Sequence, residues 1–252
     1  MTAGIFVPDI YEQDLGPTPN FAALAARSDI AGVIIKATQG VQYSPAWFTV
    51  NWGRARAAAG ARYGSTFFRG CYHFGMPTTR GDVQADFCLA AIAKAGGLAS
   101  GDMPIAWDLE GSAWSSAQQI VDISSQFAER VRARTGKTPV LYSGATVRDR
   151  GIKNRMGYGK MWTPHLDMSK AGWSLKDYTL WQYAGDGKLY NPASAVYGFP
   201  TSIPGWGATD MNVVMKNGAF ASSISDARAV LMGGISITLL LGAAALAYFA
   251  TR

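Results

Sequence analysis

The chain has 252 residues, 48% apolar and 16% charged, a balance that supports a sizeable core and excludes global disorder. That length suits one large barrel domain or two ordinary domains. The net charge of +6 points to an anionic partner. Its sign alone leaves nucleic acid, anionic lipid and cell-wall polymer open, but no Lys/Arg-rich run interleaved with aromatics supports nucleic acid.

Met1 to Asp9 lacks the basic start and long apolar run of a secretory signal. From Gly4 to about Val214, short β-like runs alternate with helix-like runs. Strands are predicted over Gly4–Ile10, Gly32–Ala37, Phe67–Phe74, Met103–Glu110, Thr138–Ser143, Lys160–Pro164, Tyr178–Tyr183 and Thr209–Val214. Helices are predicted between the first five, over Phe21–Arg27, Trp47–Ala59, Asp82–Ala95 and Ser116–Arg134; the last opens on a capping pattern, Ser115-Ser-Ala-Gln118, and stops at Gly136. Such alternation argues for an α/β fold with a parallel sheet and crossover helices. Eight strands argue for closure into a barrel, irregular because the later connections look too loop-like for full helices. Arg148 to Lys160 is the densest basic stretch and reads as a solvated loop. Gly185 to Gly207, rich in glycine and proline, reads as a long functional loop. Cys71 and Cys88 read as buried small hydrophobes, with a single bridge between them left open.

Residues 1–218 thus form the barrel domain and 219–228 a linker. Residues 229–250 carry no charge and lie between Arg228 and Arg252. As a helix this stretch would be about 33 Å long, enough to cross a bilayer core of roughly 30 Å, so a C-terminal transmembrane helix is predicted. With one arginine at each end, its orientation is not readable.

In a parallel barrel, reactive groups sit at the C-terminal ends of the strands. Those ends carry Asp9, Lys36, Tyr72-His73, Asp108 and Glu110, Tyr142, Trp162, Gln182-Tyr183 and Asp210. Carboxylates for acid/base work, aromatic faces for sugar rings and amides for hydroxyls together make a carbohydrate cleft. Asp108 and Glu110 are two apart in a strand and so share a face. Close carboxylates push each other's pKa apart, and the less solvated one keeps its proton. Alone, such a pair is a weak signal and more often reads as strand-end carboxylates bonded to backbone or to Lys/Arg. Trp47, Trp52 and Trp107 read as core, Trp114 as core or groove. His165 reads as loop surface. The scattered histidines and cysteines form no metal constellation, and no Gly-rich phosphate loop is present. No metal or cofactor is therefore expected.

Several segments, in order, carry a specific resemblance: Phe6-Val-Pro-Asp9-Ile, Gly32-Val-Ile-Ile-Lys36-Ala-Thr-Gln-Gly40, Asn51, Gly70-Cys-Tyr72-His73-Phe74, Gln84-Ala85, Pro104 to Glu110, Trp162, Leu180-Trp-Gln182-Tyr183 and Asp210-Met-Asn212. Over about residues 4 to 214 the chain resembles glycoside hydrolase family 25, the lysozymes or N-acetylmuramidases. The resemblance implies an irregular TIM-like (β/α) barrel. It implies hydrolysis of the β-1,4 bond between N-acetylmuramic acid and N-acetylglucosamine in a peptidoglycan glycan strand, with net retention, through a covalent or an acetamido-derived intermediate. Glu110 resembles the general acid, and Asp108 the carboxylate that assists the acetamido group or stabilises the cation. Asp9 and Asp210 resemble supporting acids. Tyr72, Trp162, Gln182 and Tyr183 resemble groove walls, and Lys36, Tyr142 and His73 join them as substrate-binding candidates. Pro8, Tyr11 and Gln39 depart from the family pattern, which often has glutamate in place of Gln39.

With the uncharged tail, this reads as a membrane-anchored wall hydrolase, its catalytic domain facing the cell wall from a virion or bacterial membrane, for phage entry or lysis. A catalytically silent wall-binding or virion structural protein using the same cleft is the alternative from another class. Four retained carboxylates argue against it, because a pure binder needs aromatics and amides but no acid/base pair. Another polysaccharide hydrolase on a related barrel fits the carboxylates but not the ordered segments.

Overall fold

A computed structural model of the chain describes residues 5–11, 19–111, 113–164, 178–206, 209–216, 219–220 and 230. Ten strands form one sheet: β1 (Phe6–Ile10), β2 (Gly32–Gln39), β3 (Phe68–Phe74), β4 (Ala106–Asp108), β5 (Val140–Tyr142), β6 (Lys160–Pro164), β7 (Tyr178–Gly185), β8 (Lys188–Leu189), β9 (Asp210–Lys216) and β10 (Ala219–Phe220). Strands β1 to β7 are parallel neighbours. β9 pairs antiparallel with both β1 and β7 and closes an eight-stranded barrel. Two irregularities stand among the described residues. The eighth stave runs backwards, and the β5–β6 crossover is reduced to a four-residue helix and a 3-10 turn.

Helices α1 (Phe21–Ala26), α2 (Phe48–Ala59), α3 (Gly81–Lys94) and α4 (Ala117–Thr135) lie where the periodicity places them; α5 is the short Ala145–Arg148 turn. The α4 cap falls one residue later than the predicted pattern. Ser116 accepts from the Gln119 amide at 3.1 Å, the Gln119 side chain accepts from the Ser115 amide at 2.9 Å, and Gly136 closes the helix in the left-handed region at φ 70°. α2 buries Phe48, Asn51, Trp52, Ala55 and Ala59, the helical stripe that faces the sheet. Trp47 precedes that stripe and is 39% exposed, so the expectation that it is core fails; Trp52, Trp107 and Trp114 are buried.

Because both faces of the sheet are covered, strand parity decides where each side chain goes. Ile5, Val7, Ile34, Phe68, Tyr72, Ala106, Val140, Tyr142, Trp162, Leu180 and Val214 fill the barrel interior. Their neighbours of opposite parity, such as Val33, Ile35, Cys71, Trp107, Leu141 and Trp181, pack outward against the helices. Cys71 and Cys88 are free and buried. At the floor, the end where the parallel strands begin, Arg69 and Asp102 form a sealed ion pair at 2.7 Å. Gly81 lets α3 touch α4 directly, since a Cβ there would lie 1.8 Å from the Ile123 carbonyl oxygen.

The described part of the predicted long loop, residues 185–206, is pinned down. Trp206 is buried against Phe21 and donates to the Asn20 carbonyl, while Phe199 packs on Phe6 and Tyr183. Apart from Val230, the uncharged stretch 229–250 lies outside the described residues, as do His165 and residues 221–228 of the linker. Among the described residues no helix is long and apolar enough to cross a membrane.

Candidate active site

The site grows from the inward parity of the strand ends. Asp9 near the end of β1 stands in register with Asp210 at the start of β9. Asp210 opens its strand rather than closing it, and reaches the mouth with the other strand ends only because β9 runs antiparallel. Gln182 on β7 ties the two acids together: its amide nitrogen donates to Asp210 Oδ2 at 2.8 Å and to Asp9 Oδ2 at 3.2 Å. Its oxygen accepts from Tyr142 Oη at 2.7 Å. Asn212, two residues after Asp210 and of the same parity, donates to Asp9 Oδ2 at 2.7 Å and to the Val7 carbonyl at 2.9 Å; its oxygen accepts from Trp162 Nε1 at 2.6 Å. The sequence reading named the Asp210-Met-Asn212 segment but assigned Asn212 no role, although the period of two marks it.

Asp108 ends β4 beside Phe74 and Tyr142. It is 6% exposed, and its Oδ1 is buried with no hydrogen-bond partner among the described residues. Burial pushes its carboxyl well above the usual carboxylate range; Glu110 and Asp9 push it further and Lys36 partly opposes them. Glu110 lies just past the strand. The Leu109 amide donates to the Tyr142 carbonyl at 2.9 Å and its carbonyl accepts from Ser143 Oγ at 2.7 Å, so the alternation continues beyond β4. Glu110 is exposed. The pair is thus divided by solvation, Asp108 enclosed and inclined to hold a proton, Glu110 at the surface.

Lys36 is buried on the inner face of β2. Its Nζ donates to Gln39 Oε1 at 2.9 Å and sits 4.6 Å from the Tyr11 ring centre and 4.9 Å from that of Phe74. Trp162 lies edge-on between Tyr72 and Tyr142, with centroids 6.2 and 4.6 Å away, and is 2% exposed. It supports the cleft from beneath instead of offering a face to a ring. At the rim, Gly185 admits Tyr190, whose hydroxyl would lie 2.0 Å from a Cβ at that position. Tyr190 reaches Asp210 Oδ2 at 3.5 Å and is a mouth residue the sequence reading missed.

Two predicted groove residues are elsewhere. His73 and Tyr183 have outward parity. His73 is buried against Trp107 and Phe127, bonded to Thr38 Oγ1 at 2.7 Å and Gln84 Oε1 at 3.2 Å, and burial pulls its pKa down to about 4. Tyr183 donates to the Pro200 carbonyl beneath the 185–206 loop. Among the described residues no group of histidine, cysteine and acidic side chains is arranged to hold a metal.

A closed barrel whose mouth gathers four carboxylates, amides and tyrosines is the architecture of a carbohydrate-processing domain. The sequence model for glycosyl hydrolases family 25 matches residues 10–191. The chain is 37% identical over 137 residues to an N,O-diacetylmuramidase of Chalaropsis sp., covering 50% of this chain and 61% of that protein. It is 27% identical over 155 residues to the uncharacterized protein YegX of Escherichia coli O6:H1, covering 62% of this chain and 53% of YegX, so the chain spans about half the length of that curated relative. The fold is shared with the bacterial lysozyme of Streptomyces coelicolor, with a TM-score of 0.65 and 23% identity over 92% of this chain and 99% of that one. The chain belongs to glycosyl hydrolases family 25.

Proposed function

We propose that the chain is a lysozyme that hydrolyses the β-1,4 bond between N-acetylmuramic acid and N-acetylglucosamine in peptidoglycan, with net retention. The observation that carries this is the divided carboxylate pair, Asp108 enclosed and Glu110 exposed, beside Asp9 and Asp210. The two interacting carboxyls hold a proton between them, and Glu110, the exposed member, is the one that can deliver it to the leaving oxygen, so it acts as general acid while Asp108 is left as carboxylate. The buried Oδ1 of Asp108 faces no donor of the protein among the described residues; an acetamido N–H of the substrate supplies one. Held there, the acetamido oxygen bonds to the anomeric carbon from the face opposite the leaving group as that bond breaks, and water displaces it in the second step. Glu110, now a carboxylate, takes the proton of the incoming water on the same face, which gives retention. Asp9, Asp210, Gln182 and Asn212 are positioning residues.

The uncharged stretch 229–250 supports a further part of the reading, that the enzyme is tethered to a bilayer and opens the wall beside it. A wall-cutting domain on such a tether suits phage entry or release.

Glu110→Gln should slow clearing of a peptidoglycan suspension by at least about a hundredfold. Mass analysis of the wild-type products should find reducing ends on muramic acid. An undiminished Glu110→Gln rate removes the assignment of the acid, and reducing ends on glucosamine, or no fragments at all, remove the muramidase.

A further inference from the structure

A cavity of about 210 Å³ lies at the rim of the mouth, between the loop after β2 and the loop after β3. It is separate from the carboxylate cluster, which none of its lining residues joins. Gln39, Gln42, Tyr43, Met76, Thr78 and Thr79 line it. Its lining holds amides, hydroxyls, one aromatic ring, one thioether and the aliphatic Val41, and no ionised side chain among the described residues. Gln39 stands in register with Phe74, and Phe74 with Asp108. Two strand spacings, about 10 Å, therefore separate the cavity wall from the buried carboxylate, a span that a disaccharide covers.

We propose that this cavity is an additional glycan subsite that takes one neutral N-acetylhexosamine ring of a strand lying across the mouth. This rests on the glycan-cleaving reading of the carboxylates. Tyr43 is 37% exposed, and its ring is steadied by its hydroxyl, which donates to Tyr11 Oη at 3.2 Å. A held, amphipathic ring of this kind is what a sugar face packs on. Trp47, 39% exposed at the end of the same loop, continues the aromatic rim. Gln42 and Thr78 are exposed and meet hydroxyl and acetamido groups. Of the cations near this lining, Lys36 is turned to Gln39 Oε1 and the Tyr11 and Phe74 rings, and Arg80 is paired with Asp82 at 2.8 Å. A peptide stem, with its carboxylates and amines, finds no ionic partner in this lining, whereas a neutral sugar needs none.

The test is calorimetric titration of β-1,4-linked N-acetylglucosamine oligomers, from trimer to hexamer, into full-length Glu110→Gln protein, which spares the ligand from turnover. The hexamer should bind about three- to tenfold more tightly than the trimer, the worth of one aromatic packing contact. Within Tyr43→Ala and Gln42→Ala backgrounds the hexamer should bind no tighter than the trimer. A length gain that persists in both variants, or no gain in the parent, overturns the subsite. Competition by free stem peptide that disappears in Tyr43→Ala overturns its assignment to a sugar. Should the length gain behave as expected while wild-type protein releases no reducing ends, the subsite stands and the hydrolase reading falls.

Discussion

At the residue scale the catalytic pair is held at the expense of stability. Asp108 prefers its protonated form in the fold because burial, Glu110 and Asp9 all disfavour its charge. Its folded pKa lies well above the ordinary carboxylate value, so its contribution is fully present below that ordinary value and is lost as pH rises through the higher folded pKa. Near neutrality the protein carries that penalty. Asp108→Asn keeps the shape and removes the charge. It should therefore raise stability at pH 7 by about 1 kcal/mol or more, seen as an increase in Tm of about 2–4 °C per kcal/mol, while abolishing most activity. The gain should shrink as the pH is lowered toward 4. A Tm difference that stays constant with pH would mean that the side chain, not its charge, is responsible. His73 works on the opposite side. Its pKa falls from 6.5 to about 4, so its contribution is present above 6.5 and is lost as pH drops through the lower value. A proton arriving on an imidazole buried against Trp107 and Phe127 weakens the fold as pH falls toward about 4 and leaves the mouth untouched.

At the element scale the two ends of each strand do different work. β3 carries Tyr72 toward the mouth and Arg69 near the floor, and Arg69 anchors the floor. Its guanidinium stacks 3.8 Å over Trp52, donates to the Trp52 carbonyl at 2.7 Å and pairs with Asp102, which also receives the Ala99 amide and the Tyr63 hydroxyl. Removing Asp102 strands a buried cation and two donors. Asp102→Ala should cost about 3–5 kcal/mol in urea unfolding, with the turnover of the folded fraction unchanged because the mouth is at the other end. A cost below about 1 kcal/mol would show that water replaces the lost partner. The same strands show what could be read in advance. Every barrel strand was visible as an apolar run between turn signals, and the acids at the strand ends were visible too. What could not be read was parity. A parallel strand covered on both faces has no polar side, so Tyr72 and His73, or Gln182 and Tyr183, look equivalent until the barrel is closed. The direction of β9 was equally hidden, since the loop before it packs by Trp206 and Phe199 and carries no crossover helix among its described residues.

At the scale of the whole molecule the catalytic acids and part of the basic side chains lie at opposite ends of the barrel. Asp9, Asp108, Glu110 and Asp210 surround the mouth, so the positive excess of the chain lies elsewhere. Part of it is at the floor, where Arg134 and Lys137 border a cavity of about 410 Å³ and Lys160, pressed by burial and by Lys137, has its pKa lowered to about 8. β9 runs from the mouth at Asp210 down to Lys216, and β10 folds back against Lys216 and Met215. The described barrel therefore ends in sequence at its floor, opposite the carboxylates. The proposed bilayer tether in residues 229–250 comes after the last stave in sequence and can be removed without cutting the barrel. Full-length protein should then sediment with membranes and resist extraction by high salt, while a chain ending at residue 222 should stay in the supernatant and clear peptidoglycan at the full-length rate. The barrel closes within residues 5–216, so that truncation removes no stave. Should the truncated protein instead precipitate, the uncharged stretch covers apolar surface of the barrel and the tether is wrong. If full-length protein remains in the supernatant, the stretch does not enter lipid at all.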